Sequence, residues 1–127
     1  MTEDFVTFEI AKKLKKKGFR CNYPFAMYSE GGLFYACYTS AGYANYYDYN
    51  DFDESDYIAP TISQALKWLR EEKRIFVDVR FNRFYQVYRY YAFTMSAYKE
   101  DMYGESQVNT YEQAALAGIE YALDNLI

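Results

Sequence analysis

Three groups of residues in this chain have the types and spacing to do chemistry. The first is an acidic run, Asp48, Asp51, Asp53, Glu54 and Asp56, set among tyrosines in YYDYNDFDESDY. Clustered carboxylates suit a hard cation such as Ca²⁺. Counted as an EF-hand from Asp51, the run puts Asp56 where glycine is required and Ile62 where the bidentate Glu belongs; counted from Asp48, it puts Phe52 at a ligand position. The run reads first as a solvated loop, with a hard-cation site or an acidic mimic of DNA as the other options. The second group is RIFVDVRFNRFYQVYRYYAF, which interleaves Arg74, Arg80, Arg83 and Arg89 with aromatic rings. Such a sheet could stack unpaired bases. The glycines of the RNP1 pattern are missing, and aromatics are in any case good strand formers whose edges arginine protects. The third group is Cys21 and Cys37, which are too few for a disulfide framework and form no CxxC pair. They read as free thiols in a reducing compartment.

Histidine is absent from all 127 residues, which removes Ser-His and Cys-His nucleophile pairs and His-ligated zinc sites. No P-loop, GxGxxG, GxSxG or HExxH motif is present, so no cofactor and no catalytic residue is expected. The chain is read as a non-enzyme.

Composition sets the remaining bounds. The length suits a single domain spanning residues 1–127, large enough for a core without staples. The net charge of −4 suits a soluble protein and argues against general nucleic-acid binding. No apolar run approaches the ~20 residues needed to cross a bilayer. The opening MTEDFVTFEIAKK lacks the features of a signal peptide, so no membrane partner is expected and the cytoplasm is the expected compartment. Tyrosine and phenylalanine number 17 and 10. That is more aromatic surface than a small core can hide, so many tyrosines must keep a wet hydroxyl.

The elements that position these groups announce themselves at helix starts. Thr7, Thr61 and Thr110 each open a T-x-x-x-A stretch, and Gln64 and Gln113 follow the last two at capping-box spacing. The first helix is expected over about Phe8–Lys17, ended by Gly18 in a Schellman motif with Leu14 and Phe19 in contact. Lys15, Lys16 and Lys17 then suit the negative end of the helix dipole, which accounts for the basic cluster without a phosphate ligand. The second helix is expected over Ile62–Glu72 on a stripe of Ile62, Ala65, Leu66 and Leu69, with Trp68 at its edge. The third is expected over Tyr111–Leu126 on Ala115, Ile119, Ala122 and Leu126, with Gly118 marking close packing against the sheet. Strands are expected at Phe25–Ser29 and Leu33–Thr39 around Glu30-Gly31-Gly32, and at Ile75–Phe81 and Phe84–Met95 around Asn82-Arg83. Ser40–Ala59 and Glu100–Asn109 read as loops. The α-β-β-α-β-β-α order suggests a duplicated unit and predicts an α+β fold, a four-stranded antiparallel sheet with three helices packed on it.

The segments FVTFEIAKKLKKKGF, APTISQALKWLREEK and TYEQAALAGIEYALDNLI resemble short uncharacterised proteins of gut anaerobic bacteria and their mobile elements. The resemblance covers the three helices, under half the chain. It implies a bacterial cytosolic or mobile-element setting and carries over no catalytic or binding residue.

These readings converge on a protein-interaction module with a protein partner, in its simplest form a homodimer. Tyr, Phe and Arg are the residues that anchor interfaces. The expected surface is Tyr85, Tyr88, Arg89, Tyr90 and Tyr91 with the acidic tyrosine loop; nucleic acid is the alternative partner. The caps yield the first prediction. Thr61→Ala should cost about 1 kcal/mol of stability in urea unfolding and leave any binding by the folded fraction unchanged. Lost binding at an unchanged melting temperature would make Thr61 a contact residue.

Overall fold

The computed structural model describes residues 4–20, 26–29, 32–35, 38–39, 42–43, 57–95 and 108–127. Three helices and antiparallel hairpins make the chain α+β: α1 (Phe8–Lys16), β1 (Ala26–Ser29), β2 (Gly32–Tyr35), β3 (Tyr38–Thr39), β4 (Gly42–Tyr43), β5 (Tyr57–Ile58), α2 (Ile62–Glu72), β6 (Ile75–Asn82), β7 (Val87–Thr94) and α3 (Tyr111–Asn125). Its contacts gather into two compact units, Phe5–Thr61 and Ile62–Ile127 with Met1–Asp4. Among the described residues, no helix is long and apolar enough to cross a membrane.

In the first unit, the Thr7 hydroxyl accepts from the Ile10 amide and starts α1. The helix ends as its sequence predicts. Gly18 takes a φ of 94°, its amide donates to Lys15, and the Phe19 amide donates to Leu14. Those two bonds are the Schellman pair, and both Phe19 and Leu14 are buried. The basic residues Lys13, Lys15 and Lys16 fall in the last turn. Phe8 meets Tyr28 and Tyr57 edge-on at 5.5 and 5.6 Å. The Tyr28 hydroxyl donates to the Val6 carbonyl at 2.7 Å, and the Lys15 ammonium lies 4.9 Å from the Tyr57 ring centre. Strand β1 pairs on one side with β2 and on the other with β5.

In the second unit, α2 and α3 pack on the β6–β7 hairpin. The α2 stripe buries Ile62, Ala65 and Leu69. Thr61, just before it, is buried and bridges to Phe5 within the first unit; the Ile62 amide donates to the Asp4 carbonyl. The Thr110 hydroxyl accepts from the Gln113 amide at 3.1 Å and caps α3. That helix buries Ala114, Ala115, Gly118, Ile119, Ala122 and Leu123. Leu126, expected on the inner face, is only half-buried, as is Leu116. Ala114, Gly118 and Ala122 lie one turn apart, and these small side chains bring the helix close to the strands.

Several expectations need correction. The stretch expected as one strand, Leu33–Thr39, contributes to both β2 and β3. The expected loop Ser40–Ala59 contains β4 and β5, and Val108 of the other expected loop bridges to Tyr88. The turn after β6 is not Asn82-Arg83 but the four residues Arg83–Gln86, so β7 begins at Val87. Asn82 makes this turn: its side-chain carbonyl accepts from the amides of Phe84 and Tyr85, both at 3.0 Å. Gln86 closes it in the left-handed region with a φ of 56°. The expected single four-stranded sheet is replaced, among the described residues, by three ladders: β2-β1-β5, β3-β4 and β6-β7. Hairpins satisfy their backbone groups locally, so strand order along the chain does not dictate which ladders merge.

A methyl group placed on Gly118 would lie 2.5 Å from Val77 Cγ1 and 3.2 Å from Tyr90 Cβ. Alanine gains about 1 kcal/mol in helix propensity over glycine, while overpacking costs about 1–3 kcal/mol. Gly118→Ala should therefore lower stability by about 1 kcal/mol in urea unfolding, the reverse of its effect at an open helical site.

Candidate interaction face on the second hairpin

Side chains of a strand alternate between faces, so the register of β6 and β7 sorts the candidate residues. Ile75, Val77, Val79 and Phe81 lie across from Thr94, Ala92, Tyr90 and Tyr88. This face meets the helices. Tyr90 is 8% exposed, lies against Gly118 and has the Tyr121 ring 6.2 Å away. Of the expected interaction residues, Tyr90 is thus a core residue and contributes nothing to an outer surface. Tyr88 is half-buried on the same side, 5.0 Å from the Phe81 ring and 6.4 Å from that of Tyr111.

The opposite face carries Phe76↔Phe93, Asp78↔Tyr91, Arg80↔Arg89 and Asn82↔Val87 as directly opposed pairs. Phe76 and Phe93 stack at 5.5 Å. Next along the hairpin, the Arg80 guanidinium sits 4.6 Å from the Tyr91 ring centre, and its Nε donates to Asp78 at 2.8 Å. Both partners of this ion pair are well exposed, so it adds little stability. The Arg89 guanidinium lies 5.8 Å from the ring centre of Tyr85 in the turn.

The Arg80↔Arg89 pair is the unusual feature. Like charges directly opposite each other on a ladder are destabilising. The two side chains lean apart, Arg80 toward Asp78 and Tyr91, Arg89 toward the turn. Cation–π contact offsets part of the repulsion, about 0.5–1 kcal/mol at each exposed site. Among the described residues, Arg80 has a carboxylate partner, Asp78. The Arg89 Nε is buried and has no hydrogen-bond partner among the described residues. A buried donor left unmade costs about 1–3 kcal/mol, more when charged.

The turn adds an exposed aromatic cluster. Phe84 is 86% exposed, Tyr85 63% and Phe81 51%. The rings of Phe84 and Tyr85 meet edge-on at 5.0 Å. Of the expected residues, Arg89 and Tyr91 lie on the same face of β7, and Tyr85 in the turn is near Arg89. Arg80, singled out in the sequence among the hairpin arginines, lies on the same face as Phe76 and Phe93, and Phe84 stands in the turn; the three phenylalanines were not among the expected residues. The signal for them is the register, which depends on reading Asn82 as the residue that holds a four-residue turn.

The acidic candidates Asp48, Asp51, Asp53, Glu54 and Asp56 lie outside the described residues, as do Cys21 and Cys37. Among the described residues, no three His, Cys, Asp or Glu side chains are grouped to hold a metal ion. Compared with protein-family models, curated proteins and solved structures, the chain matches none.

Burial pushes the Tyr90 hydroxyl above the usual tyrosine range, and the neighbouring Tyr121 adds to the shift. The folded chain then holds this proton to higher pH than the unfolded chain does. Its contribution is fully present below about pH 10 and is lost as pH rises through the folded value. Tyr90→Phe should flatten the alkaline fall in melting temperature relative to wild type. Identical alkaline slopes would place the loss elsewhere.

Proposed function

We propose that this chain is a non-enzymatic protein-interaction module of a bacterial cytosol or mobile element, binding through the turn and outer face of the β6–β7 hairpin. One observation carries the reading: Phe84 and Tyr85 stand exposed on a turn held by two hydrogen bonds that their amides donate to the Asn82 side chain. Large rings held in place before binding lose little entropy when a partner covers them. Arg80, Arg89, Tyr91, Phe76 and Phe93 extend the surface along the strands, and its mix of aromatics and arginine is that of interface hot spots. A second copy of the chain is the simplest partner.

Single-strand nucleic-acid binding is the second reading, favoured by two arginines among rings on one sheet face. Asp78 within that face and the net charge of −4 oppose it. The rings of Tyr91 and Tyr85 also already carry guanidinium groups where bases would stack.

Sedimentation velocity across the micromolar range tests the first reading. Wild type should associate reversibly, and Phe84→Ser with Tyr85→Ser should shift the population to monomer while circular dichroism stays unchanged. A monomer at every concentration removes the second-copy partner. Retention of an oligonucleotide in a low-salt gel, fading steeply with added salt, supports the nucleic-acid reading.

A further inference from the structure

Strand β7 shows which backbone groups of the hairpin face outward. The Tyr88 amide donates to the Val108 carbonyl at 2.8 Å, and the Val108 amide donates back to Tyr88 at 3.2 Å. A strand residue points its N–H and C=O to the same side, so Tyr88 turns both away from Phe81, its partner on β6. Alternation along the ladder then turns the amides and carbonyls of Phe81, Val79, Val77 and Ile75 away from β7, onto the far edge of β6. Among the described residues, no strand pairs with that edge. Side-chain cover thins toward it as well. On the inner face, Tyr90 and Ala92 of β7 are buried, whereas Val77 and Val79 of β6 are half-buried and Phe81 is exposed.

We propose that two copies of the chain pair antiparallel along β6, with Val79 of each on the two-fold axis, joining their β6–β7 hairpins into one four-stranded sheet. The inference rests on the second-copy reading of this hairpin and names the edge and the register of the contact. Charge selects that register. In a two-fold pair of identical strands, residue i meets j and j meets i. An axis at Val79 sets Asp78 of each copy directly opposite Arg80 of the other, on the outer face. Asp78 and Arg80 are two apart on one strand, so the charges alternate in sign around a rectangle. Both are non-hydrogen-bonded pairs, the kind whose side chains approach more closely. An axis at Asp78 would set carboxylate against carboxylate, and one at Arg80 guanidinium against guanidinium. An axis at Val77 would set Asp78 against Phe76 and Arg80 against Arg74. On the inner face, the Val79 register places Phe81 opposite Val77 of the second copy, which brings apolar cover to an exposed ring. Arg80, opposed by Arg89 on β7, gains a carboxylate on its other side. Charges on an edge strand ordinarily keep copies apart. Opposite charges placed symmetrically about one residue instead admit a second copy in that register alone.

Sedimentation velocity on the full chain with charge reversals tests the proposal. Asp78→Arg or Arg80→Asp alone puts like charges opposite each other across the axis and should weaken self-association about tenfold. Mixing these two chains should recover a heterodimer, since each reversed position then meets the opposite sign. Both reversals in one chain restore the match, and that chain should associate like wild type. Val79→Pro removes an outward N–H and no bond of the β6–β7 ladder, and should abolish association. Circular dichroism melts on every variant separate lost contact from lost fold. The Asp78–Arg80 bond within one chain is exposed, so its loss should move the melts little. If Val79→Pro unfolds the chain, the charge reversals decide. Single reversals that associate like wild type overturn the edge contact; if Phe84→Ser with Tyr85→Ser still yields monomer, the turn interface stands without it. Association lost in both single reversals and restored neither by mixing nor by combining them overturns the Val79 register. A wild-type monomer at every concentration overturns the proposal together with the second-copy reading beneath it.

Discussion

Where α3 crosses the β6–β7 hairpin, position 118 has no room for a side chain. The inner face of the strands reaches the helix backbone there through Val77 and Tyr90. Ala114, Ala115, Ile119, Ala122 and Leu123 continue the contact along the helix. A β-ribbon of two strands has little stability of its own in water. Its inner face must be buried, and the close approach at Gly118 decides which face that is. Once Val77, Tyr90 and Ala92 are inward, Phe76, Asp78, Arg80, Arg89, Tyr91 and Phe93 are outward by the geometry of the pleat. The candidate surface is thus a consequence of how the helix is seated.

The helices cover the hairpin unevenly, and this too has a physical reading. Along the inner face of β6, burial falls from Ile75, which is fully buried, to Phe81 near the turn, which is not. The turn beyond it is ordered by its own bonds, with Asn82 accepting from two successive amides and Gln86 held at a positive φ. A non-glycine residue in that region is uncommon and costs stability, so the turn spends some of the stability supplied by the helix-packed end. Chain rigidity and aromatic exposure coincide at Phe84 and Tyr85. The same rigidity holds Tyr85 beside Arg89 and sets the two opposed arginines leaning apart.

The surface therefore combines two kinds of incomplete satisfaction. Exposed rings at the turn keep apolar area in water, and the arginine pair keeps more positive charge than Asp78 answers. Each is tolerable in a free chain, since scattered exposed rings are common on protein surfaces and Arg80 is well hydrated. Together they set the outer side of this hairpin apart from its helix-packed inner side. Core residues on the other face, Tyr90 above all, take no part in this.

Much of the local structure was legible in the sequence because local rules govern it. The ends of α1 followed from Thr7, Gly18 and Phe19, since capping depends on residues within one turn. The bounds of α2 followed from its apolar stripe, and the closeness of α3 to the strands from Gly118. The alternation of Ile75, Val77 and Val79 with Phe76, Asp78 and Arg80 divides β6 into two faces in the sequence, and the contact with α3 decides which of them is inner. What only the tertiary structure decided was register and grouping. A two-residue turn at Asn82-Arg83 would set Arg80 opposite Tyr85, whereas the four-residue turn sets it opposite Arg89. Both registers keep the same residues on the same faces, because they differ by an even number of positions, so hydrophobic patterning could not choose between them. Nor could it show that Tyr90, chemically the same as Tyr91 beside it, belongs to the core. The three ladders seen among the described residues were equally beyond it, since pairing between distant strands depends on the energy of the whole fold and leaves no mark on neighbouring residues.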